Sequence, residues 1–221
     1  MKKKKIKNPL IRRIPKELIG DWKKYLVVFL FLVLTIGFVS GMYVANESMI
    51  TSANEGVIKY KQEDGHFELK KQADATLLSA IETGEKADFK ATKTTLYENF
   101  FRNEEEDYNN DGKKDGTIRV FAKTKDINLA CMLQGSFPQK ADEIAIDRMH
   151  ADNVGIKVGD TITVSGETYK VVGLLAYVNY STLHEKTTDL MFDALKFDVA
   201  MVTKEGFDRL DKSIHYAYAW K

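Results

Sequence analysis

The feature that most constrains this chain is a run of 21 residues, positions 25–45, without a single charged side chain. As an α-helix it rises about 31 Å, which matches the roughly 30 Å hydrocarbon core of a bilayer. Thirteen of its residues are Leu, Ile, Val or Phe, and together they favour insertion by about 4–8 kcal/mol. We therefore expect a transmembrane helix over 25–45. A cleaved signal peptide is the alternative, but this run is longer than such peptides need and lacks a clean small-x-small cleavage site.

The charge of the chain is distributed unevenly about this span. Residues 1–24 contain ten basic and two acidic side chains, a local net charge of +8, whereas the whole chain carries +1, so residues 25–221 carry −7. Basic residues that flank a span stay in the cytoplasm. We therefore expect a cytoplasmic N-terminus that touches anionic membrane lipids and an extracytoplasmic domain over 46–221. An acidic exterior domain offers no footprint for nucleic acid.

Two shorter features complete the membrane-proximal region. Residues 10–22 are typical of an amphipathic helix lying along the inner leaflet, with Pro15 in its first turn. Within the span, Gly37 and Gly41 form a small-xxx-small pair, which predicts a face where another helix packs closely. The alternative is that glycine is simply frequent in such spans.

The exterior region must fold without a disulfide, because Cys131 is the only cysteine in the chain. We expect Cys131 to be buried and inert. Low cysteine use outside the membrane is typical of a bacterial plasma-membrane protein. The 176 residues after position 45 suffice for one domain or two small lobes. Segments of strand and helix character interleave there, which predicts an α+β fold, a mixed α/β domain after one N-terminal transmembrane helix.

Local patterns place the elements of this domain. Residues 74–83 predict a helix with Asp74 as its N-cap. Residues 142–175 predict a small subdomain made of a strand, a short helix and a hairpin. Further strands are expected at 67–69, 117–122, 197–202 and 214–220, and a helix at 204–210. The chain ends at Lys221, directly after an aromatic strand, so we interpret it as a fragment whose domain is incomplete at the C-terminus.

The stretch 103–116 is more polar than any other and predicts an exposed loop. Its spacing matches a calcium-binding loop in part, since oxygen-bearing side chains stand at loop positions 1, 3, 5 and 9 with a glycine at position 6. These candidate ligands are Asp107, Asn109, Asp111 and Asp115. Position 12, where a glutamate should close the shell, is Ile118, and no helices flank the loop. An ordinary solvated hairpin loop is therefore the favoured interpretation.

No pattern in the chain indicates an enzyme. The four histidines are scattered without a His-x-x-x-His pair, so they could meet a metal only through the tertiary fold. There is no Gly-x-Ser-x-Gly nucleophile elbow and no Gly-x-x-x-x-Gly-Lys-Ser/Thr nucleotide loop. We expect neither a catalytic group nor a cofactor in this chain.

A family resemblance joins these features. After the basic head and the span come three segments: Asp142-Glu143-Ile144-Ala145-Ile146, Gly155-Ile156-Lys157-Val158-Gly159-Asp160-Thr161-Ile162 and Tyr169-Lys170-Val171-Val172-Gly173. In this order they resemble the N-terminal part of FtsX-like ABC transporter permeases, whose exterior portion is the MacB-like periplasmic core domain.

The resemblance implies a permease subunit, homodimeric or heterodimeric, that works with a separate cytoplasmic ABC ATPase. Such permeases couple ATP hydrolysis to movement of the exterior domain, for peptide or antibiotic export or for cell-envelope processing. Family members have further spans that are absent here, and a single helix cannot enclose a transport pathway. The alternative is an independent single-pass surface protein whose exterior domain binds a ligand or partner.

Overall fold

The computed structural model describes residues 9–84, 94–186 and 188–221, and its chain divides into two compact units, Met1–Asn54 and Glu55–Lys221. The first two elements of the chain are the helices α1 (Pro9–Gly20) and α2 (Trp22–Lys59). By length and composition α2 can cross a membrane. Pro15 lies inside α1 rather than in its first turn as predicted, because the helix begins at Pro9.

The second unit contains both helices and strands. Its helices are α3 (Ala75–Thr83), α4 (Arg148–Val154) and α5 (Lys204–Asp208). Its strands are β1 (Gly65–Leu69), β2 (Leu96–Glu98), β3 (Phe101–Asp107), β4 (Gly116–Ala122), β5 (Cys131–Gly135), β6 (Glu143–Asp147), β7 (Thr161–Val164), β8 (Glu167–Ala176), β9 (Phe197–Val202) and β10 (Tyr216–Trp220). An apolar helix followed by a mixed α/β domain confirms the predicted fold class.

Two sheets organise this unit. The smaller is antiparallel with the order β1-β10-β2. The larger has the order β5-β8-β6-β9-β4-β3-β7, and β7 also pairs with β8. That additional pairing closes six of the seven strands into a barrel, and β5, outside this closed ring, pairs with the C-terminal half of β8. Closure leaves fewer strand edges free to pair with other chains.

Local chemistry explains several of these elements. Asp74 caps α3 as predicted, because its carboxylate accepts a hydrogen bond from the Leu77 amide at 2.7 Å. The chain turns from β7 into β8 at Ser165 and Gly166, both at positive φ. A two-residue turn of this kind matches the twist of the strands that it joins.

The barrel divides its side chains between two apolar clusters. One cluster contains Ile118, Ile146, Ile162 and Val171, with Phe207 of α5 and Ala151 of α4 packed among them. The other contains residues of the same strands that point to the opposite face, such as Leu175, Val199 and Met201, and the segment after β8 covers them. Because strands of the 142–175 region pair with β3, β5 and β9, that region is part of the barrel.

The structure corrects the prediction that 103–116 is one exposed loop. Residues Phe101–Asp107 form β3, which pairs with both β4 and β7, and only the segment after it is a turn. Glu104, Glu106 and Asp107 are buried. The polar composition was misleading because acidic side chains of β3 point into the barrel, where composition alone predicts apolar residues.

Candidate functional site

Residues 57–64, which we call the helix root, comprise the C-terminal end of α2 and the turn that follows it, and hydrogen bonds of this turn hold the root to the rest of the second unit. The Leu129 and Asn128 amides donate to the carbonyl oxygens of Tyr60 and Lys61, at 2.8 and 3.0 Å. The Asp64 amide donates to the carbonyl oxygen of Trp220 on β10, at 2.8 Å. The root is thus held by the segment before β5 and by the end of β10.

Side chains reinforce the helix root. Asn128 is 4% exposed, and its Oδ1 accepts a hydrogen bond from the Glu63 amide at 3.0 Å. It has a positive φ, a conformation that asparagine tolerates better than most residues. The Tyr60 hydroxyl donates to Sγ of Cys131 at 2.8 Å. Cys131 is therefore half-buried against the root, not fully buried as predicted, because it lies on β5 at the outside of the barrel.

The four candidate calcium ligands lie together at the turn between β3 and β4. Their oxygens accept hydrogen bonds from the turn's own amides: Asp107 from Asp111 and Gly112, and Asp115 from Tyr108 and Asn109. This network is that of Asx turns, in which side-chain oxygens replace backbone acceptors. A calcium role for these residues remains a prediction that the geometry neither requires nor supports.

Gly37 and Gly41 lie on α2, as the sequence indicates. A Cβ atom added at either position would meet no atom within 4 Å. The described chain therefore leaves this face open, and the predicted helix packing there remains a prediction.

A polar cleft of about 510 Å³ lies between the two sheets of the second unit. Its central cation, Arg119, already has partners: Asn103 Oδ1 at 2.9 Å, the Tyr180 hydroxyl at 3.0 Å and the Glu185 carbonyl oxygen at 3.0 Å. Its guanidinium also stacks on the Phe101 ring, 4.5 Å from the centroid. Because its hydrogen bonds are taken up internally, Arg119 acts as a structural link between β4, β3 and the segment after β8.

A more unusual arrangement is a buried cluster of three ionisable side chains, Glu106 of β3, His150 of α4 and Asp198 of β9, which we call the core triad. Each has 0% relative exposure. In the sheets Glu106 is opposite Val164 and Asp198 is opposite Ile118, both core residues, so both carboxylates point into the barrel. His150 Nε2 lies 3.3 Å from Oε1 of Glu106, an ion-pair distance without good hydrogen-bond alignment.

The electrostatics of the core triad are strongly perturbed. Burial opposes the charged imidazolium and is the largest single effect on His150, but the nearby charges of Asp198 and Glu106 outweigh it and raise the pKa of His150 to about 9. Burial likewise raises the pKa of Asp198 well above its ordinary value, against the opposing effect of His150. The triad therefore holds protons that exposed groups would release at neutral pH.

Sequence reasoning missed this triad. The histidines were expected to meet a ligand only through the tertiary fold, and the fold does bring His150 to two carboxylates distant in sequence. The sequence contains only a weak signal for this buried cluster. Asp198 is an acidic residue with apolar neighbours on both sides inside a strand pattern, Phe197–Val202.

Comparison with known families resolves what kind of domain this is. The family description "MacB-like periplasmic core domain" matches residues 27–208, most of the chain. The chain belongs to this family. The resemblance predicted from the three segments is confirmed, and the match supports a component of an ABC transporter permease. Together with α2, it indicates a membrane-anchored protein with an extracytoplasmic domain.

Two solved structures show distant similarity. The periplasmic region of MacB from Actinobacillus actinomycetemcomitans is 9% identical with a TM-score of 0.37, over 65% of this chain and 63% of that one. The extracellular domain of the noncanonic ABC-type transporter YknZ from Gram-positive bacteria is 12% identical with a TM-score of 0.36, over 71% of this chain and 83% of that one. No curated protein matches the sequence significantly.

Proposed function

We propose that this chain is part of an ABC transporter permease and that its exterior domain transmits movement driven by a separate cytoplasmic ATPase. The match to the MacB-like periplasmic core domain over residues 27–208 carries this proposal. We propose that this movement serves peptide or antibiotic export or cell-envelope processing, the tasks that the family resemblance implies.

The helix root is the element through which we propose that movement passes. Helix α2 is unbroken from Trp22 to Lys59 and contains no proline. The residues directly after it, Tyr60, Lys61 and Asp64, are joined to the segment before β5 and to β10 by backbone hydrogen bonds. A stiff helix with a firmly held end can transmit a displacement that a flexible linker would absorb. The chain itself needs no catalytic group for this role.

We propose that residues 1–24 lie in the cytoplasm and the second unit outside. The net charge of +8 before the span supports this orientation. Lys23 and Lys24 directly precede the apolar run, where basic side chains reach lipid headgroups. Cysteine labelling of intact cells with a membrane-impermeant maleimide tests it, in a Cys131→Ala background. Labelling of Ser79→Cys but not of Lys16→Cys is expected, and the reverse pattern would overturn the orientation.

We propose that the functional form is a homodimer or heterodimer of permease subunits, as the family resemblance implies. The open face at Gly37 and Gly41 is the surface that we assign to this helix packing. Helix packing at Gly37 and Gly41 would touch no side chain of the described exterior domain, so it would leave the fold of that domain unchanged.

Affinity capture from the native host tests the proposed function. An N-terminal tag on the chromosomal copy, mild solubilisation and mass spectrometry should enrich one ABC ATPase subunit relative to a tagged unrelated single-pass protein. ATP hydrolysis by the captured material should be absent when the ATPase gene carries an inactive nucleotide site. Capture without any ABC ATPase would contradict the proposal and favour an independent surface protein.

A further inference from the structure

The core triad is not explained by the proposed function. We propose that Glu106, His150 and Asp198 bind one divalent transition-metal ion that joins β3, α4 and β9 inside the barrel. This inference is independent of the permease proposal, because it concerns how the domain is held together. One ligand atom from each residue lies within 4.8 Å of the other two.

The first argument is the set of polar atoms in the triad that have no hydrogen-bond partner. These are both carboxylate oxygens of Glu106, Nε2 of His150 and Oδ2 of Asp198, all inaccessible to solvent. Buried polar atoms are normally paired, because an unpaired one loses its hydrogen bonds with water and gains none in the protein. Four such atoms from three neighbouring side chains indicate that a common partner belongs between them.

The second argument is orientation by the surrounding groups. His150 Nδ1 lies 2.8 Å from the carbonyl oxygen of Ala194, which requires a proton on Nδ1 and directs Nε2 toward the carboxylates. Asp198 Oδ1 accepts from the amides of Asp147 and Val199, at 3.1 and 2.7 Å, which leaves Oδ2 for another partner. Metal-binding histidines and carboxylates are held in this way by hydrogen bonds from their other atoms.

The third argument is charge. Two ionised carboxylates and a neutral imidazole carry −2, which a divalent cation neutralises without leaving a net charge on the triad. Without a metal, the triad must instead retain protons on His150 and on a carboxylate. A metal ion would replace these protons and at the same time supply a partner for all four free atoms.

The donor set indicates the class of ion, and the one ligand–ligand distance given by the ion pair is compatible with it. In a tetrahedral site with bonds of about 2.0–2.1 Å, two ligand atoms lie about 3.3 Å apart. The observed separation of His150 Nε2 and Glu106 Oε1 is 3.3 Å. One imidazole nitrogen with carboxylate oxygens suits Zn²⁺ and similar ions, whereas Ca²⁺ prefers six to eight oxygens.

The direct test uses the full chain, purified in detergent without a histidine tag, stripped with chelator and titrated with Zn²⁺ against a chromogenic competitor. We expect one tightly bound ion per chain and a higher unfolding temperature in the loaded protein. Weaker sites near the surface, such as the pair of His66 with Glu63, would release Zn²⁺ to the competitor. Failure to retain one ion per chain would overturn the proposal.

Matched variants assign that ion to the triad. Glu106→Gln and Asp198→Asn should each weaken Zn²⁺ binding by more than about 100-fold, since even changes in supporting groups cost 10–100-fold. Glu104→Gln is the control: Glu104 is also buried on β3, but its oxygens accept from Lys212 and Ser165. Equal affinity in all three variants would contradict the assignment.

X-ray absorption of the zinc-loaded wild-type chain gives an answer even if the variants do not fold. One imidazole and carboxylate oxygens at about 2.0–2.1 Å are expected. A sulfur ligand would place the ion at Cys131, and two or more imidazoles would place it at surface histidines. Either result would exclude the triad as the site.

Discussion

At the scale of single residues, Gly173 shows how closely the strands of the barrel approach. A Cβ atom added there would lie 2.5 Å from the carbonyl oxygen of Ser136 and 2.7 Å from Sδ of Met132. The first of these neighbours is backbone, which cannot move aside without disturbing the pairing of β5 with β8. The glycine that ends the third family-like segment is thus explained by packing.

Gly173→Ala should therefore lower the free energy of unfolding by about 1–3 kcal/mol, as overpacked positions do. Thermal unfolding of the purified chain measures this. The control is Gly56→Ala in α2, where the nearest atom to the added Cβ, in Val178, is at 3.9 Å. That variant should be neutral or more stable by about 0.5–1 kcal/mol, because alanine favours helix. Equal stability of the two variants would contradict the packing argument.

Residues also mark the limit of sequence reasoning. Asp74 could be predicted as a cap because a capping side chain acts within its own turn. Glu104, Glu106 and Asp198 could not be predicted as buried, because their burial depends on strands that meet only in the tertiary fold. The core triad could not be predicted from the sequence for the same reason.

At the scale of elements, the helix root depends on Asn128. Its side chain satisfies the Glu63 amide, and its backbone amide bonds the Lys61 carbonyl oxygen. Asn128→Ala removes the first bond and places alanine at a positive φ, which should destabilise the root by about 1–3 kcal/mol.

Hydrogen exchange of residues 57–64 measures this change, which should appear as faster exchange there while β6 and β9 keep their protection. Asn153→Ala is the matched control, since Asn153 is exposed and bonds only within α4. Unchanged exchange at the root in Asn128→Ala would show that the remaining backbone bonds hold it alone.

The elements that could be predicted are those with local signals. Helix α3, the β7–β8 hairpin and strands β4, β6 and β9 follow from caps, turns and apolar runs. The short strands β2 and β5 lack such signals, and barrel closure depends on β7 pairing with β3 and β8 together. The periodicity of apolar residues does not predict the pairing that closes the barrel, because β3 and β7 are distant in sequence.

At the scale of the whole molecule, the open glycine face of α2 is tested by Gly37→Leu combined with Gly41→Leu. Neither side chain would meet the chain's own atoms near its Cβ, so folding should be unaffected. If a partner helix packs there, chemical cross-linking of permease subunits in membranes should fall several-fold. Val39→Leu, on the opposite side of the helix, should leave cross-linking unchanged. Full cross-linking in the double variant would exclude this face.

The most direct test of mechanical coupling changes the stiffness of α2 without changing its length. Thr51, Ser52 and Asn54 are exposed in the helix, and each can be replaced by Gly in one triple variant and by Ala in another. Glycine costs about 1 kcal/mol of helix stability per residue relative to alanine. The measurement is the ATP-dependent change in hydrogen exchange of residues 57–221 in membranes that contain the captured ATPase.

If movement passes through α2, the alanine variant should keep this ATP-dependent change and the glycine variant should lose it, although both bind the ATPase equally. The same ATP-dependent change in both variants would contradict coupling through the helix.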